Sequence, residues 1–353
     1  MLCVFWLQKL TNNFSNSRPD AVIPRCLGSI TSALSCQMRV FVAVVMVVST
    51  EVDGDRRRHY TACWINTRSR PARHNIRARI AANVSDKALP IRGVQVSSAK
   101  INGIDLHYQR YGEGDAIVFA HGAGGNLLSW WQQIPFFSQR YQCITFDHRG
   151  FGHSLDVPEG PGAASFVDDL RGLLDHLDIE SAHLVAQSMG GRTMLGFAVK
   201  YPHRVRSLVM ADTVGGMNVP AVVAEQHNWA ATHTASGEIG FRAVSPLFVQ
   251  RNPNLANLYL QISRTNPPRH MPPDGLPAGP GTDELKNLNI PALFFVGEDD
   301  QISPPQVIAA GAKAIPGSKL LRVPEAGHSV YFEKPDIFNF EVLRFIESAE
   351  KSA

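Results

Sequence analysis

The sequence lacks an apolar run of 18 residues, so it predicts no membrane-spanning helix. It also lacks the motifs of several cofactor sites. There is no G-x-x-x-x-G-K-S/T phosphate loop, no G-x-G-x-x-G followed by a ribose-binding acid, and no H-E-x-x-H zinc motif. The five cysteines show no C-x-x-C spacing. We therefore expect neither a metal ion nor an organic cofactor.

A net charge of only +3 over 353 residues argues against a dedicated nucleic-acid binder, but this charge is unevenly distributed. Residues 1–95 contain 14 Lys and Arg against 5 Asp and Glu, whereas the remainder contains 20 basic and 26 acidic residues. Four of the five cysteines also lie in the first stretch, at Cys3, Cys26, Cys36 and Cys63. The composition changes near Val94, which we take as the boundary between a basic leading segment, residues 1–94, and a folded domain, residues 95–353.

The leading segment shows no sustained helical or alternating pattern apart from one apolar run, from Val40 to Val48. Its richness in Arg and Ser and its few acids are typical of an organelle transit peptide. Met38-Arg39 followed by the apolar run also fits a crude secretory signal from an internal start. A poorly ordered extension, or upstream sequence, is the third interpretation. The first two predict an organellar or secreted protein, and the third predicts a cytoplasmic one.

Beyond residue 95, short apolar runs recur, and each ends in a polar or glycine-rich loop: AIVFAHG, CITFDHRG, AHLVAQSMG, SLVMADT, ALFFVGEDD and LLRVPEAGHS. Such runs are typical of strands buried on both faces of a parallel sheet. Helical patterns at 165–178 and 191–202 lie between them, and Asn102-Gly103 predicts a tight hairpin turn before them. The sequence therefore predicts an α/β fold with a mostly parallel, doubly wound sheet of about eight strands. Ligands bind such sheets beyond the carboxyl ends of the strands.

The strongest chemical signal is the segment Ala186-Gln187-Ser188-Met189-Gly190-Gly191, which follows a predicted strand and precedes a predicted helix. A sharp strand-to-helix turn exposes a serine hydroxyl and needs small residues two positions before and two after the serine. Gly190 fits this requirement, and Ala186 is the next smallest choice. Ser188 is therefore a candidate nucleophile, although serine also caps helices.

A serine hydroxyl needs an imidazole to take its proton and a carboxylate to orient that imidazole. His328 lies in the loop after the last predicted strand, and Asp299 and Asp300 lie in the loop after the strand ALFFV. The loop His121-Gly122-Ala123-Gly124-Gly125 follows another strand, and its N–H groups can stabilise an oxyanion. All of these loops are expected at the carboxyl edge of the sheet.

From about residue 98 to residue 347 the chain resembles the α/β-hydrolase fold superfamily, serine-nucleophile type. The pieces that carry the resemblance are HGAGG, FDHRGFGHS, AQSMGG, GEDDQISPP and AGHSVYFEKP, in the family's order. The resemblance implies Ser188 as nucleophile, His328 as general base and acid, and Asp300 as the acid that orients it, with Asp299 as an alternative. It implies an oxyanion hole made by the N–H groups of Ala123 and Met189.

The resemblance also marks positions with other roles. Asp212 is the place where some relatives carry their acid, and Asp147 and Arg149 match a structural motif. As candidates for the substrate pocket we take the residues next to the nucleophile and the oxyanion loop: His121, Gly122, Gln187, Trp130 and Trp131. The two tryptophans are more typical of packing positions.

The family places a cap over the active site between the strands SLVMA and ALFFV, which predicts a helical cap insert at about 215–288. We expect its apolar face to comprise Phe241, Leu247, Phe248, Leu258 and Leu260.

Such a cap implies a small-to-medium hydrophobic substrate, and the hypothesis is an esterase that acts through an acyl-enzyme on Ser188. Lactone hydrolysis, C–C bond hydrolysis and cofactor-free perhydrolysis of the haloperoxidase kind stay open. A ligand-binding receptor of the same fold is the non-enzyme alternative. The expected partner is a small molecule; the oligomeric state is open.

Overall fold

In a computed structural model, the described residues are 45–48, 61–64, 97–233, 242–268 and 278–351. The chain divides into two compact units, Met1–Asp86 and Lys87–Ala353. In the first unit, strand β1, Val45–Val48, pairs antiparallel with strand β2, Thr61–Trp64. The rest of the leading segment discussed above lies outside the described residues.

The second unit alternates strands and helices. Its strands are β3 Ser97–Ile101, β4 Ile104–Tyr111, β5 Ala116–Ala120, β6 Gln142–Phe146, β7 Ala182–Gln187, β8 Val205–Ala211, β9 Ala292–Gly297 and β10 Lys319–Val323. Its α-helices are α1 Ile134–Phe137, α2 Phe166–His176, α3 Gly190–Lys200, α4 Pro220–Thr232, α5 Pro246–Arg251, α6 Pro253–Arg264, α7 Thr282–Lys286, α8 Pro305–Ala314, α9 Val330–Glu333 and α10 Pro335–Glu350. Short 3-10 helices lie at Leu127–Trp130, Gly162–Ser165 and Pro202–Arg204.

The strands of this unit form one eight-stranded sheet in the order β10-β9-β8-β7-β5-β6-β4-β3. The pairs from β10 to β6 are parallel, and β4 pairs antiparallel with both β6 and β3. This arrangement confirms the predicted α/β class and the mostly parallel sheet of about eight strands. Its carboxyl edge gathers the loops that follow β5, β7, β8, β9 and β10.

The hairpin between β3 and β4 turns at Asn102 and Gly103, as the sequence predicts. Both residues have positive φ, 45° and 84°, which a tight two-residue hairpin of type I′ requires. The two predicted helices are also present. The pattern at 165–178 corresponds to α2, and the pattern at 191–202 corresponds to α3.

The central strands show no alternation of polar and apolar residues, as expected for a sheet that is covered on both faces. Every residue of β5, β7 and β9 is buried. One hydrophobic cluster lies on the side of α2, α3 and α8, and the other lies on the side of α1, α10 and residues of α5 and α6. Helices on both faces are what a parallel sheet requires, and they leave its carboxyl edge to the loops.

Helices α4 to α7 lie between β8 and β9, and we call the described residues of this insert (215–233, 242–268 and 278–288) the cap. The apolar face expected from the sequence is partly wrong. Phe248 is buried, but Leu258 is 37% exposed, and α6 instead buries Ala256, Tyr259 and Ile262. Phe241 lies outside the described residues. Within the described part of the chain, no helix is long and apolar enough to cross a membrane.

The buried residue His148 is expected to make the free energy of unfolding depend on pH. His148 Nε2 lies 2.9 Å from Thr193 Oγ1, and its Nδ1 lies 3.1 Å from Nε2 of His121. Burial, and secondarily the neighbouring His121, lower the pKa of His148 well below its ordinary value of 6.5.

As the pH falls below 6.5, the unfolded chain binds a proton at this histidine, whereas the folded chain does not. This protonation stabilises the unfolded chain, so the free energy of unfolding decreases as the pH falls below 6.5. We expect H148Q to reduce the slope of unfolding free energy against pH by up to about 1.4 kcal/mol per pH unit in that range. Urea unfolding at a series of pH values measures the slope. Equal slopes for H148Q and wild type would contradict the prediction.

Candidate active site

The nucleophile candidate lies in the turn between β7 and α3. Ser188 has φ of +48°, a left-handed conformation that costs a non-glycine residue about 1–3 kcal/mol. The turn is tightly packed, because a Cβ atom at Gly190 would overlap the carbonyl of Ala120. The Ser188 N–H donates to the carbonyl oxygen of Ala211 at 3.0 Å, which ties the turn to the end of β8. The surrounding sheet thus holds the serine in a conformation that its own backbone disfavours.

Ser188, His328 and Asp300 form a chain of hydrogen bonds. His328 Nε2 lies 2.8 Å from Ser188 Oγ, and His328 Nδ1 lies 2.8 Å from Asp300 Oδ2. A carboxylate only accepts hydrogen bonds, so Nδ1 carries the proton and Nε2 is free to accept the serine proton. Asp300 is fixed in turn, because its Oδ1 accepts the N–H groups of Ile302 and Ser303 at 2.8 Å each.

The environment favours protonation of His328. Burial is the largest single effect and lowers its pKa, but the surrounding acidic groups, Asp300 foremost, together raise the pKa above its ordinary value of 6.5. Asp212 and Glu333 act in the same direction. The imidazole can therefore hold a proton that it takes from the serine, which is what a general base must do.

The structure distinguishes the three carboxylates that the sequence left open. Asp300 is 2% exposed and bonds to His328, whereas Asp299 is exposed to solvent. Asp212 is fully buried, and its two oxygens accept the N–H groups of Gly297 and Val330 at 3.1 and 3.0 Å. Burial, and then the nearby Asp300, raise the pKa of Asp212 well above its ordinary value. Asp212 thus ties the end of β9 to the loop of His328.

The loop after β5 forms a tight turn, residues 122–125, which we call the oxyanion turn. The N–H of Gly125 donates to the carbonyl oxygen of Gly122 at 2.9 Å. Ala123, inside the turn, and Met189, after the nucleophile, are both partly exposed. Neither N–H donates to a protein acceptor among the described residues. Two N–H groups without a protein acceptor among the described residues, one in the loop after β5 and one directly after Ser188, are donors of the kind that can hold an oxyanion.

Three of the pocket candidates, His121, Gly122 and Gln187, are buried beneath the loops of the site. His121 is fully buried, and its Nδ1 donates to the carbonyl oxygen of Gly122 at 2.8 Å while its Nε2 accepts the N–H of His148. Gln187 is 2% exposed and donates to the carbonyl oxygen of His328 at 2.7 Å. A Cβ at Gly122 would overlap the Gln187 amide. These residues therefore hold the loops rather than present side chains to a substrate.

The tryptophans are separated by the structure. Trp130 is fully buried, with ring centroids 5.1 Å from Phe119 and 4.7 Å from Tyr331, so it is a core residue, and its assignment as a pocket candidate is wrong. Trp131 is 41% exposed and lies edge-on against Phe332. Trp130 is the last residue of the 3-10 helix and Trp131 directly follows it, and adjacent residues of such a turn point in different directions, which explains why one packs and the other faces solvent.

Two side chains that the sequence analysis missed contact the loop of His328. Glu333 is buried, and its carboxylate accepts the N–H groups of Gly327 and Ser245 at 2.9 and 3.0 Å. Ser329 donates to the hydroxyl of Tyr259, on cap helix α6, at 3.1 Å. No local pattern marks the bond from Ser245 to Glu333 or the bond from Ser329 to Tyr259, because they join residues 88 and 70 positions apart in the chain. Among the described residues no cluster of three metal-ligating side chains occurs.

The bond between Asp300 and His328 can be tested without a substrate. Asn at position 300 removes the charge that raises the pKa of His328, so D300N should lower that pKa below the wild-type value. D299N is the matched control, since Asp299 is exposed beside it. NMR titration of the imidazole carbon-bound protons measures both variants. A pKa of His328 that falls equally in D299N would exclude Asp300 as the dominant partner.

Comparison with known proteins identifies the fold by a separate route. The family model described as "alpha/beta hydrolase fold" matches residues 115–335. The chain is similar to the 3-oxoadipate enol-lactonase 2 of Acinetobacter baylyi, with 29% identity over 68% of this chain and 92% of that protein. It is similar to the non-heme chloroperoxidase CPO-A1 of Kitasatospora aureofaciens, with 29% identity over 69% of this chain and 97% of that protein.

Among solved structures, a thermophilic esterase from Thermogutta terrifontis is 28% identical, with a TM-score of 0.58 over 72% of this chain and 98% of the esterase. The family model covers well over half of the chain, and the chain spans nearly the whole length of these relatives. The sheet order and the turn at Ser188 belong to the same architecture. The chain therefore belongs to the alpha/beta hydrolase fold family and is an enzyme of the hydrolase type.

Proposed function

We propose that the protein is a carboxylic ester hydrolase that forms an acyl-enzyme on Ser188. The observation that carries the proposal is the hydrogen-bond chain from Ser188 through His328 to Asp300, with both bonds at 2.8 Å. The nucleophile, the base and the orienting acid are thus in contact before any substrate binds.

In the acylation step, His328 Nε2 takes the proton of Ser188 as Oγ attacks the ester carbonyl carbon. The carbonyl oxygen becomes an oxyanion, and the N–H groups of Ala123 and Met189 are positioned to donate to it. The protonated His328 then gives its proton to the departing alcohol oxygen, and the C–O bond breaks. Asp300 keeps its negative charge throughout and stabilises the imidazolium.

In the deacylation step, a water molecule replaces the alcohol. His328 takes a proton from the water as its oxygen attacks the acyl carbon, and the same two N–H groups hold the second oxyanion. The bond between Oγ and the acyl carbon then breaks, and His328 returns the proton to Ser188. The products are a carboxylic acid and the free enzyme.

The cap supports a hydrophobic substrate of small or medium size. Val244, Phe248 and Tyr259 of the cap belong to the same buried apolar cluster as Val330 and Phe332, which follow His328 in the chain. The contact between the cap and the segment after His328 is therefore largely apolar, apart from the bonds of Tyr259 to Ser329 and of Ser245 to Glu333. Burying an apolar acyl chain there would contribute binding energy in proportion to its area.

A cyclic ester is the second candidate substrate. The enol-lactonase relative is named for a lactone, and a lactone needs the same steps at Ser188. Because the leaving alcohol of a lactone stays attached to the acyl group, the ring-opened product leaves only after deacylation. A lactone panel beside an open-chain ester panel distinguishes the two.

The first test is hydrolysis of p-nitrophenyl acetate, butyrate and octanoate by the full chain, with S188A beside the wild type. We expect hydrolysis by the wild type and a fall on the order of a millionfold in kcat for S188A, since loss of a nucleophilic serine has this effect in serine hydrolases. The chain length with the highest kcat/KM gives the size of the acyl pocket.

An inactive, folded wild type would contradict general esterase activity and would favour the lactone panel. Hydrolysis that persists in S188A would contradict the acyl-enzyme, because the ester would then be cleaved at another group. Labelling by an organophosphate, read as a mass shift of the wild type that S188A lacks, gives an independent check on the nucleophile.

The pH dependence of kcat/KM tests the general base. His328 acts as a base only when neutral, and its pKa is raised above 6.5, so kcat/KM should rise with pH through a midpoint above 6.5. Initial rates with a neutral ester from pH 5 to about pH 9 locate this midpoint. A midpoint clearly below 6.5 would mean that burial, and not the charge of Asp300, dominates at His328.

A further inference from the structure

The C-terminal end of cap helix α6 is hydrogen-bonded to the oxyanion turn. Asn266, two residues past the helix, donates from Nδ2 to the carbonyl oxygen of Gly125 at 3.1 Å. Its Oδ1 accepts the N–H of Gly152 at 2.9 Å. One amide side chain of the cap therefore connects the last residue of the oxyanion turn to the loop after β6.

Asn126, the residue directly after the oxyanion turn, makes a second contact between this turn and the end of α6. Asn126, which is 3% exposed, donates from Nδ2 to Thr265 Oγ1 at 2.8 Å and to the carbonyl oxygen of Ile262 at 3.2 Å. Its Oδ1 accepts the N–H of Leu128 and caps the following 3-10 helix. The Ile262 carbonyl lies in the last turn of α6, and it also accepts the N–H and the hydroxyl of Thr265, at 3.2 and 2.7 Å.

The oxyanion turn needs such restraints because its own sequence is permissive. Three of its four residues are glycines, whose backbone has more conformational freedom than any other residue. The carbonyl of Gly122 is held by His121 and by the N–H of Gly125 at one end. The carbonyl of Gly125, at the other end, is held by the Asn266 amide. The Ala123 N–H lies in the same planar peptide group as the Gly122 carbonyl, so its direction depends on the bond from the Gly125 N–H to that carbonyl, and hence on where Gly125 is held.

We propose that Asn266 is a positioning residue that fixes the oxyanion turn through the Gly125 carbonyl, so that the cap and the oxyanion hole shift together. The inference rests on the proposed ester hydrolysis, in which Ala123 donates to the oxyanion. Asn266 touches no reacting atom. It acts by keeping the Ala123 N–H aimed at the position where the negative charge develops.

A residue that merely attached the cap would have a different effect. A loosened cap weakens the binding of the substrate in its ground state and raises KM. A misdirected N–H donor weakens only the tetrahedral state, which lowers kcat and leaves KM unchanged. A trifluoromethyl ketone, which adds to a nucleophilic serine and leaves an oxyanion in the hole, reports the same loss as a higher inhibition constant.

The experiment compares N266A with N257A in the full chain. Asn257 is an exposed asparagine on α6 whose side chain accepts one long bond from Gln261, so N257A controls for loss of an amide from this helix. We expect N266A to lower kcat about 10- to 100-fold, because small displacements of a catalytic group have effects of this size. The inhibition constant should rise by a similar factor, KM should change less than about twofold, and N257A should match the wild type.

N266D separates the two bonds of the amide. Its carboxylate can still accept the N–H of Gly152, but it has no donor for the carbonyl of Gly125. We expect N266D to lose as much kcat as N266A. Wild-type kcat in N266D would overturn the proposal, as would a rise in KM with unchanged kcat in N266A.

Amide hydrogen exchange tests the inference without any substrate. The Gly125 N–H is bonded inside the oxyanion turn, so residues 121–127 should exchange faster in N266A than in N257A. If the wild type hydrolyses no ester, the proposed function fails while this measurement still tests the role of Asn266. Unchanged exchange at the oxyanion turn would overturn the inference even in an active enzyme.

Discussion

The strained turn at Ser188 is the constraint on which the rest of the site depends. A left-handed serine survives there because β7 is fully buried and because glycine at position 190 lets α3 approach the end of β5. Packing around the buried strand β7, in the middle of the sheet, offsets this strain. Once the serine is fixed, each partner must reach it from the carboxyl end of another strand, and the loops after β5, β9 and β10 do so.

Buried carboxylates organise these loops. Asp212 joins Gly297, at the end of β9, to Val330. Glu333 joins Ser245 of the cap to Gly327, and Asp300 joins its own loop to the His328 imidazole. Each accepts backbone N–H groups or an imidazole N–H, which offsets the free energy of removing a carboxylate from water. Asp300, Asp212 and Glu333 all act to raise the pKa of His328, so the groups that hold these loops also favour protonation of the imidazole.

The cap is part of the same arrangement. The N–H of Ser245 in the cap donates to Glu333, and Tyr259 on α6 contacts Ser329. Asn266, just past the end of α6, contacts the oxyanion turn. Helix α6 and the residues that follow it therefore contact both the loop of His328 and the oxyanion turn.

The sequence alone determined the alternation of strands and helices, the hairpin at Asn102-Gly103, and the loops that carry Ser188 and His328, because these are local patterns of polarity and turn chemistry. Only the tertiary structure shows that Asp300, and not Asp299, bonds to His328, since adjacent residues of one loop point in different directions. The same holds for Trp130, which is buried where a pocket residue was expected. The contact of Asn126 with Asn266 joins residues 140 positions apart. No local pattern encodes such a contact, because the distance is set by how the sheet, the loops and the cap pack together.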